Sequence, residues 1–384
     1  MSGPDKLLCL CVVGTRPEVI KLAPVIRRLR ETDWADTTVV SSGQHDVLLS
    51  QAFADFGLTP DLRLDVERRR PSVLELLSQV IDRLDRTVLQ LRPDCIIAQG
   101  DTTTAAAASI VAFHHRLPFV HVEAGLRTSD LSAPFPEEYN RRVAALAATL
   151  HCAPTEQAVQ HLVAEGVAPD SIVMSGNTVI DALLDAAARK PALPDSFPAA
   201  GRTILVTAHR RESFGAPLDR ALSALRKCLD RFPDLNILFP VHPNPEARAS
   251  AERCLGGHPR AVLVEPLGYN DMVSAMQHAW LVVTDSGGLQ EEAPALGKPV
   301  LVLRDSTERP EAVATGVVRL VGTDPDAIAT AIVSLRSPDT YARMARRVFP
   351  YGDGAAAERI VAAMKRLLVK RQPADELAWA PAAA

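Results

Sequence analysis

The sequence predicts an α/β protein built from two doubly wound domains, each a parallel sheet covered by helices on both faces. Three observations carry this. Short β-branched runs alternate with helical patterns over nearly the whole chain. The runs are apolar throughout instead of alternating with polar residues, as expected of strands buried on both faces. A length of 384 residues exceeds what one core usually supports.

Taken in order, the first half supplies strands at 7–13, 37–42, 94–99, 118–122, 150–153 and 172–175. The second half supplies 203–208, 235–241, 261–265, 281–284, 299–303 and 317–321. That is about six strands on each side, with a cleft expected between the two domains. Amphipathic helices lie between the strands. The first is set by Val19, Leu22, Ala23, Ile26 and Leu29 at i, i+3, i+4, i+7 spacing. The segment from Pro191 to Gly201 has three prolines and no apolar period, so it reads as the interdomain loop. The expected domains are therefore 1–190 and 202–353, with a last helix over 354–371 and a frayed tail at 372–384.

Composition narrows the function. A net charge of −4 gives no reason to expect nucleic acid or an anionic membrane as partner. No stretch approaches the ~20 uncharged apolar residues of a membrane span. The run Leu7–Val13 is too short for a signal sequence and reads as the first strand. The six cysteines show no CxxC spacing and sit mostly in apolar runs, which suits buried free thiols. A soluble, cytoplasmic protein is the expectation. There is no G-x-G-x-x-G with a later acidic partner and no GxxxxGK[ST], so neither NAD nor a P-loop is indicated. His242-Pro243-Asn244 and His114-His115 lack metal-ligand spacing. No cofactor and no metal are expected.

Six segments fall where strands end and helices begin, the edge at which open α/β sheets bind ligands. Gly14-Thr15-Arg16-Pro17-Glu18-Val19-Ile20-Lys21 puts Arg16 and Lys21 at a helix start with Pro17 at its first position. Two cations at a helix N-terminus suit phosphate oxygens, although a capped helix with solvated charges explains them equally. Asp101, in Gln99-Gly100-Asp101-Thr102, can be a helix cap or a catalytic acid. Glu123 leaves the apolar strand Pro118–Val122, where solvation is a poor explanation for a carboxylate. Glu137 and Glu138 follow a proline-bounded loop and either serve the helix dipole or the chemistry. Three carboxylates converging on one edge suit proton transfer at a carbon acid.

The second half answers with cations and a phosphate cradle. His209 and Arg210 follow one strand, and Asp285-Ser286-Gly287-Gly288 follows another. Adjacent glycines let backbone N–H groups approach phosphate. Glu291 or Glu292, one turn on, can accept from ribose hydroxyls, and Arg309 stands at a further helix entry. Small residues alone also permit tight packing. Together with His209 and Arg309 they point to a diphosphate site.

At these residues the chain resembles the bacterial non-hydrolysing UDP-N-acetylglucosamine 2-epimerases. The matching strings are GTRPEVIKLAPVI, QGDTTT, HVEAGLRT, PFPEEYNR, SGNTVIDAL, TAHRRESFG, PVHPNP, TDSGGLQEEAPALGKPVLVLRDSTERPEAV, LVGTD and PYGDG. They run in order from Gly14 to Gly354. The resemblance implies a glycosyltransferase-B (GT-B) architecture of two Rossmann-like domains, with the final helix returning to the first. It implies UDP-sugar contacts at Arg16, Lys21, His209, Ser286, Gly287, Gly288, Glu292 and Arg309, and an acid/base set of Asp101, Glu123 and Glu137, with His209 beside it. It also implies UDP-N-acetylglucosamine and UDP as ligands and a homodimer as the assembly.

Two departures from the family pattern stand out. Met272 occupies a place near the base pocket where relatives commonly carry an aromatic residue, which bears on affinity more than on activity. Relatives regulated by a second substrate molecule have a polar residue three positions after the Gln of a Gln-His pair. Here Gln44-His45 is followed by Asp46 and Val47, so an allosteric site at Gln44 and His45 is expected to be weak or absent. The competing expectations are a hydrolysing epimerase, one acting on a UDP-diacetamido uronate, a glycosyltransferase of the same fold, and a UDP-sugar-binding regulator. Intact acids at all three positions argue against the last.

Overall fold

The computed structural model describes residues 6–43, 47–67, 70, 72–128, 130–208, 210 and 214–369. The chain divides into two compact units, one running through Leu49, then Leu58–Thr178 and from Ala355 on, the other Ser50–Gly57 and Val179–Gly354. The first unit contains β1 (Leu7–Val13), α1 (Arg16–Arg30), β2 (Ala35–Ser41), the start of α2 (Val47–Asp55), β3 (Leu62–Arg63), α3 (Val73–Leu91), β4 (Cys95–Gln99) and α4 (Thr103–His114). It continues through β5 (Phe119–Val122), α5 (Glu137–Ala147), β6 (Leu150–Ala153), α6 (Glu156–Ala164) and β7 (Ile172–Met174). The second contains α7 (Thr178–Ala188), β8 (Arg202–Thr207), α8 (Ala216–Arg231), β9 (Leu235–Pro240), α9 (Pro245–Leu255), β10 (Ala261–Val264) and α10 (Tyr269–His278). Then come β11 (Leu281–Thr284), α11 (Gly287–Ala295), β12 (Val300–Val302), α12 (Pro310–Ala314), β13 (Val318–Leu320), α13 (Pro325–Leu335) and α14 (Pro338–Met344), before α15 (Ala356–Leu368) returns to the first unit.

Both sheets are wholly parallel. Their strand orders are β3-β2-β1-β4-β5-β6-β7 and β10-β9-β8-β11-β12-β13. All twelve expected strands form within two residues of their expected ends. The thirteenth, β3, was not anticipated, because it is two exposed residues with no apolar run to announce it. The loop expected at 191–201 forms, but the compact units part earlier, after Thr178. The segment following α7 is tied to α10: Ser274 donates to the Pro191 carbonyl (3.2 Å) and Gln277 to that of Ala187 (3.4 Å). Residues 50–57 join the second unit for a similar reason. Asp55 accepts from the Tyr269 N–H (3.0 Å), and the Phe56 and Tyr269 rings lie 5.2 Å apart.

The cores are aliphatic, as 4% aromatic content requires. The five residues that define the stripe of α1 are all buried against the first sheet. Each large one contributes on the order of 1.5–3 kcal/mol before entropy is counted. Helix α4 is buried along nearly its whole length, and its alanines at 105–108 and 112 leave room for α3 and α5 on either side. Five of the six cysteines are buried and all six are free thiols. Helix α15 lies against α1, where Arg28 and Glu358 approach within 3.7 Å, and Arg359 donates to the Ser175 carbonyl (3.1 Å). The tail from 370 on lies outside the described residues, and among those described no helix is long and apolar enough to cross a membrane.

One polar group breaks the pattern of α1. Glu18 sits in the first turn, favourable for the helix dipole, yet is completely buried. One carboxylate oxygen accepts from the Gly14 N–H (3.0 Å) and the Thr15 hydroxyl (2.7 Å), the other from the Thr102 hydroxyl (2.7 Å). Burial pushes its pKa up to about 7, and the three hydrogen bonds only partly oppose that. Because the folded pKa lies above the unfolded value of 4.5, the associated stability is fully present below pH 4.5 and is lost as pH rises through about 7. Glu18→Gln removes this titration. Its stability relative to the parent should rise by on the order of 3 kcal/mol between pH 4.5 and pH 8 in urea melts, and a flat difference would contradict the ionisation of a buried Glu18.

Candidate active site

In each sheet the strand order reverses once, between β1 and β4 in the first and between β8 and β11 in the second. Helices leave such neighbouring strands toward opposite faces, so a crevice opens beyond their carboxyl ends. In the first unit a cavity of about 790 Å³ fills this place. Gly14, Thr15 and Thr102 to Thr104 form its floor, Asp101, Glu137 and Asn140 one wall, and Val47, Val73 and Leu76 an apolar wall. The approach of β1 to α4 requires glycine at 14, since a Cβ there would stand 2.2 Å from the Thr104 hydroxyl.

Asp101 and Glu137 thus share one cavity. Asp101 does not cap α4, as Thr102 does that by accepting from the Ala105 N–H (3.0 Å). Its carboxylate pairs with Arg141 at 2.6 Å. The turn that carries it is held by three side chains from three elements. His121 of β5 donates to the Gly100 carbonyl (2.8 Å), Asn140 of α5 to the Asp101 carbonyl (2.9 Å), and Thr102 donates to Glu18 of α1. Gly100 takes φ +75 to make the turn. A carbonyl can only accept, so His121 carries its proton on Nε2, and burial keeps the ring neutral by pushing its pKa down to about 4. In the Glu137-Glu138 pair the two residues part company. Glu138 is fully buried and bound by Arg141 (3.2 Å), Arg142 (3.0 Å) and the Thr128 N–H (3.1 Å), which is a structural role, while Glu137 faces the cavity.

Glu123 does not line that cavity. It follows β5 with φ +65, an unfavourable conformation for a residue with a side chain. Its carboxylate accepts from Lys21 (2.6 and 2.8 Å), from Asn177 (3.2 Å) and from Gln99. Lys21, expected as a UDP-sugar contact, pairs with Glu123. Arg16 opens α1 and is half-buried. Arg127 of the HVEAGLRT string is bidentate to Glu165, both bonds at 2.8 Å, and is structural.

In the second unit, Ser286 caps α11 through its hydroxyl, leaving the N–H groups of Gly287 and Gly288 in the first turn. Three guanidiniums gather there. A Cβ on Gly287 would lie 3.9 Å from both Arg210 and Arg309, and Glu308 joins Arg210 (2.5 Å) to Arg304 (2.6 Å). Burial opposes the charge on Glu308, but these arginines win and hold its pKa near 2. Arg309 pairs with the buried Glu291, whereas Glu292 accepts from the Tyr269 hydroxyl at 3.2 Å. Met272 stands one turn along α10 from Tyr269 and is half-buried. The buried Asp285 accepts from the Arg210 N–H at 3.0 Å and fixes that loop. His209, Gln44 and His45 lie outside the described residues.

Sequence reasoning missed Glu18, Arg304, Glu308 and Tyr269. The first had a signal, an acid beside a helix-entry proline. The others are ordinary surface residue types until topology gathers them.

The chain matches the family model described as UDP-N-acetylglucosamine 2-epimerase over residues 27–365. It is 43% identical over 367 residues to the UDP-N-acetylglucosamine 2-epimerase of Yersinia pestis, covering 93% of this chain and 98% of that protein. A crystal structure of the UDP-GlcNAc 2-epimerase of Neisseria meningitidis bound to UDP-GlcNAc superposes with a TM-score of 0.87 at 38% identity, covering 94% of this chain and all of that one. The glycotransferase of kitacinnamycin shares only the fold, with a TM-score of 0.63 at 15% identity over 95% of this chain and 100% of that one. With two parallel α/β sheets of this order, the architecture is of the glycosyltransferase-B type, and the chain belongs to the UDP-N-acetylglucosamine 2-epimerase family.

Proposed function

We propose that this chain is a non-hydrolysing epimerase that interconverts UDP-N-acetylglucosamine and UDP-N-acetylmannosamine by elimination and re-addition of UDP. The observation that carries the reading is the cavity at the first strand reversal, where Asp101 and Glu137 stand together on a hydroxyl-rich floor. The binding of UDP-GlcNAc by the Neisseria relative supports the same substrate.

C2 of an acetamido sugar is a poor carbon acid, so its proton must leave as the C1–oxygen bond breaks. A carboxylate takes the C2 proton, the C–H pair becomes the C1–C2 double bond, and the C1–O pair departs with UDP. The products of this half are 2-acetamidoglucal and UDP. Re-addition forms the C1–O bond again and delivers a proton to the opposite face of C2. Atoms balance over the cycle and water is not consumed. Ser286, Gly287, Gly288 and Arg309 hold the diphosphate, whose charge grows as C1–O breaks. Asp101, Glu123 and Glu137 are the acid/base set, and His209 is assigned to the same catalytic group. Glu292 takes the ribose hydroxyls, and Met272 covers the uracil. Arg16 and Lys21 complete the UDP-sugar contacts. We place this enzyme in the cytoplasm as a homodimer, an assembly that light scattering measures directly.

Turnover in D₂O followed by proton NMR tests the chemistry. Deuterium should enter at C2 and not at C1, C3 or C4. Asp101→Asn and Glu123→Gln should each lose ~10²–10⁴ in rate. Glu137→Gln should release glucal and UDP. Epimer formed with its C2 proton fully retained would overturn the three-carboxylate assignment, and stoichiometric UDP with free N-acetylmannosamine would indicate hydrolysis.

Gly288→Val tests the cradle. The new Cβ would meet Glu292 and Ser286 at 3.8 Å, which is ordinary contact. UDP affinity by calorimetry should fall by roughly tenfold or more, because a branched side chain blocks backbone approach. Unchanged affinity would refute the cradle.

Val47 is 80% exposed and cannot hydrogen-bond. Kinetics with UDP-N-acetylmannosamine as sole substrate should accordingly be hyperbolic. A lag abolished by trace UDP-N-acetylglucosamine would show that a second substrate site operates.

A further inference from the structure

The turn Gly100-Asp101-Thr102 is gripped from beneath at three successive residues, and the grip at Thr102 is unlike the other two. His121 and Asn140 each donate to a backbone carbonyl. Glu18 instead accepts from the Thr102 hydroxyl, and through its second oxygen it holds Gly14 and Thr15, which with Thr102 line the cavity floor. One carboxylate thereby joins the β1–α1 turn to the β4–α4 turn across the strand reversal. Thr102 makes this link with its hydroxyl proton while one of its two lone pairs caps α4. Glu18 itself has no exposed surface, so it meets the cavity only through these partners.

We propose that Glu18 is a positioning residue for Asp101, setting through Thr102 the place of the Asp101 carboxylate on the cavity wall. The inference rests on the proposed role of Asp101 in proton transfer. The chemistry gives Glu18 no contact with a substrate, so its whole effect passes through the turn. Glutamine in its place keeps the size and an acceptor. It presents an amide N–H₂, however, where the carboxylate accepts, so either the Gly14 and Thr15 donors let go or the Thr102 hydroxyl must turn from donating to accepting through its second lone pair, and either change alters the grip on the turn. A shift of an ångström in a proton-transfer group is enough to slow a reaction markedly while leaving distant binding contacts in place.

Steady-state epimerisation of UDP-N-acetylglucosamine by the parent, Asp101→Asn, Glu18→Gln and the double variant tests this, with UDP titrated by calorimetry in each. Glu18→Gln should lose roughly 10- to 100-fold in kcat while KM and UDP affinity stay within about threefold. The double variant should be no more than about threefold slower than Asp101→Asn alone, because Glu18 has nothing left to position. A merely structural role predicts that the two losses multiply, and that result would overturn the proposal. So would a folded Glu18→Gln that keeps its kcat within about twofold, or one whose loss lies in KM and UDP affinity. Thr102→Ala severs the same link from its other end if Glu18→Gln fails to fold. It should show the same kcat loss, and a parental kcat there would be equally fatal. Full activity in Asp101→Asn would remove the reading of Asp101 and this inference with it, whereas an inactive Asp101→Asn beside an intact Glu18→Gln removes this inference alone.

Discussion

The single reversal of strand order in each sheet is the constraint on which everything else depends. Where β1 meets β4, and again where β8 meets β11, consecutive crossovers leave toward opposite faces and cannot cover the strand ends. Backbone N–H groups at helix starts, and side chains at strand ends, are exposed at those two places by topology alone. Gly14 and Thr15 follow β1 and Asp101 and Thr102 follow β4. In the other sheet, Arg210 follows β8 and Asp285 to Gly288 follow β11. Residues that no sequence spacing links are neighbours because parallel strands pair in that order.

The two places are charged in opposite senses and stabilised in opposite senses. In the first unit the carboxylates carry the proposed chemistry and cations buttress them: Arg141 against Asp101, Lys21 against Glu123. In the second the guanidiniums surround the α11 entry and carboxylates buttress those: Glu308 against Arg210 and Arg304, Glu291 against Arg309. Each pairing keeps a charge that is partly or wholly withdrawn from water from standing alone, which is unfavourable when one partner is removed. The arrangement also fixes side chains that would otherwise lose rotamer freedom only on meeting a ligand. A site so arranged is largely organised beforehand.

Much of this was readable in the sequence. Apolar runs gave the strands because parallel strands are buried on both faces, and β3 was invisible because it is short and exposed. The loops at Gly14, Asp101, Glu123, Glu137 and Ser286 were singled out because each puts chemistry-bearing residues at the edge where open α/β sheets bind ligands. Their partners were not found. That Glu138 and not Glu137 is bound by Arg142, or that Glu291 and not Glu292 holds Arg309, depends on which face of a helix meets which neighbour. Adjacent residues on a helix point about 100° apart. Sequence alone names the doublet and the fold selects the member. The compact units also part twelve residues before the proline-rich loop, since side chains of α10 reach the carbonyls after α7.

Three departures from the rules of stable folding meet around one turn. Glu18 is a carboxylate with no exposed surface. His121 is a buried imidazole whose Nδ1 has no hydrogen-bond partner among the described residues. Glu123 holds φ +65. A core built for stability alone would not bury a carboxylate or an imidazole there, because removing polar groups from water is unfavourable even when they are paired. These three come from α1, β5 and the end of β5, and all bear on residues 99–102: Glu18 through Thr102, His121 through Gly100, Glu123 through Gln99. Independent packing accidents have no reason to converge on one tetrapeptide. A requirement that Asp101 be held in a single place does, and it would be met by the kind of directional, desolvated hydrogen bonds that apolar packing cannot supply.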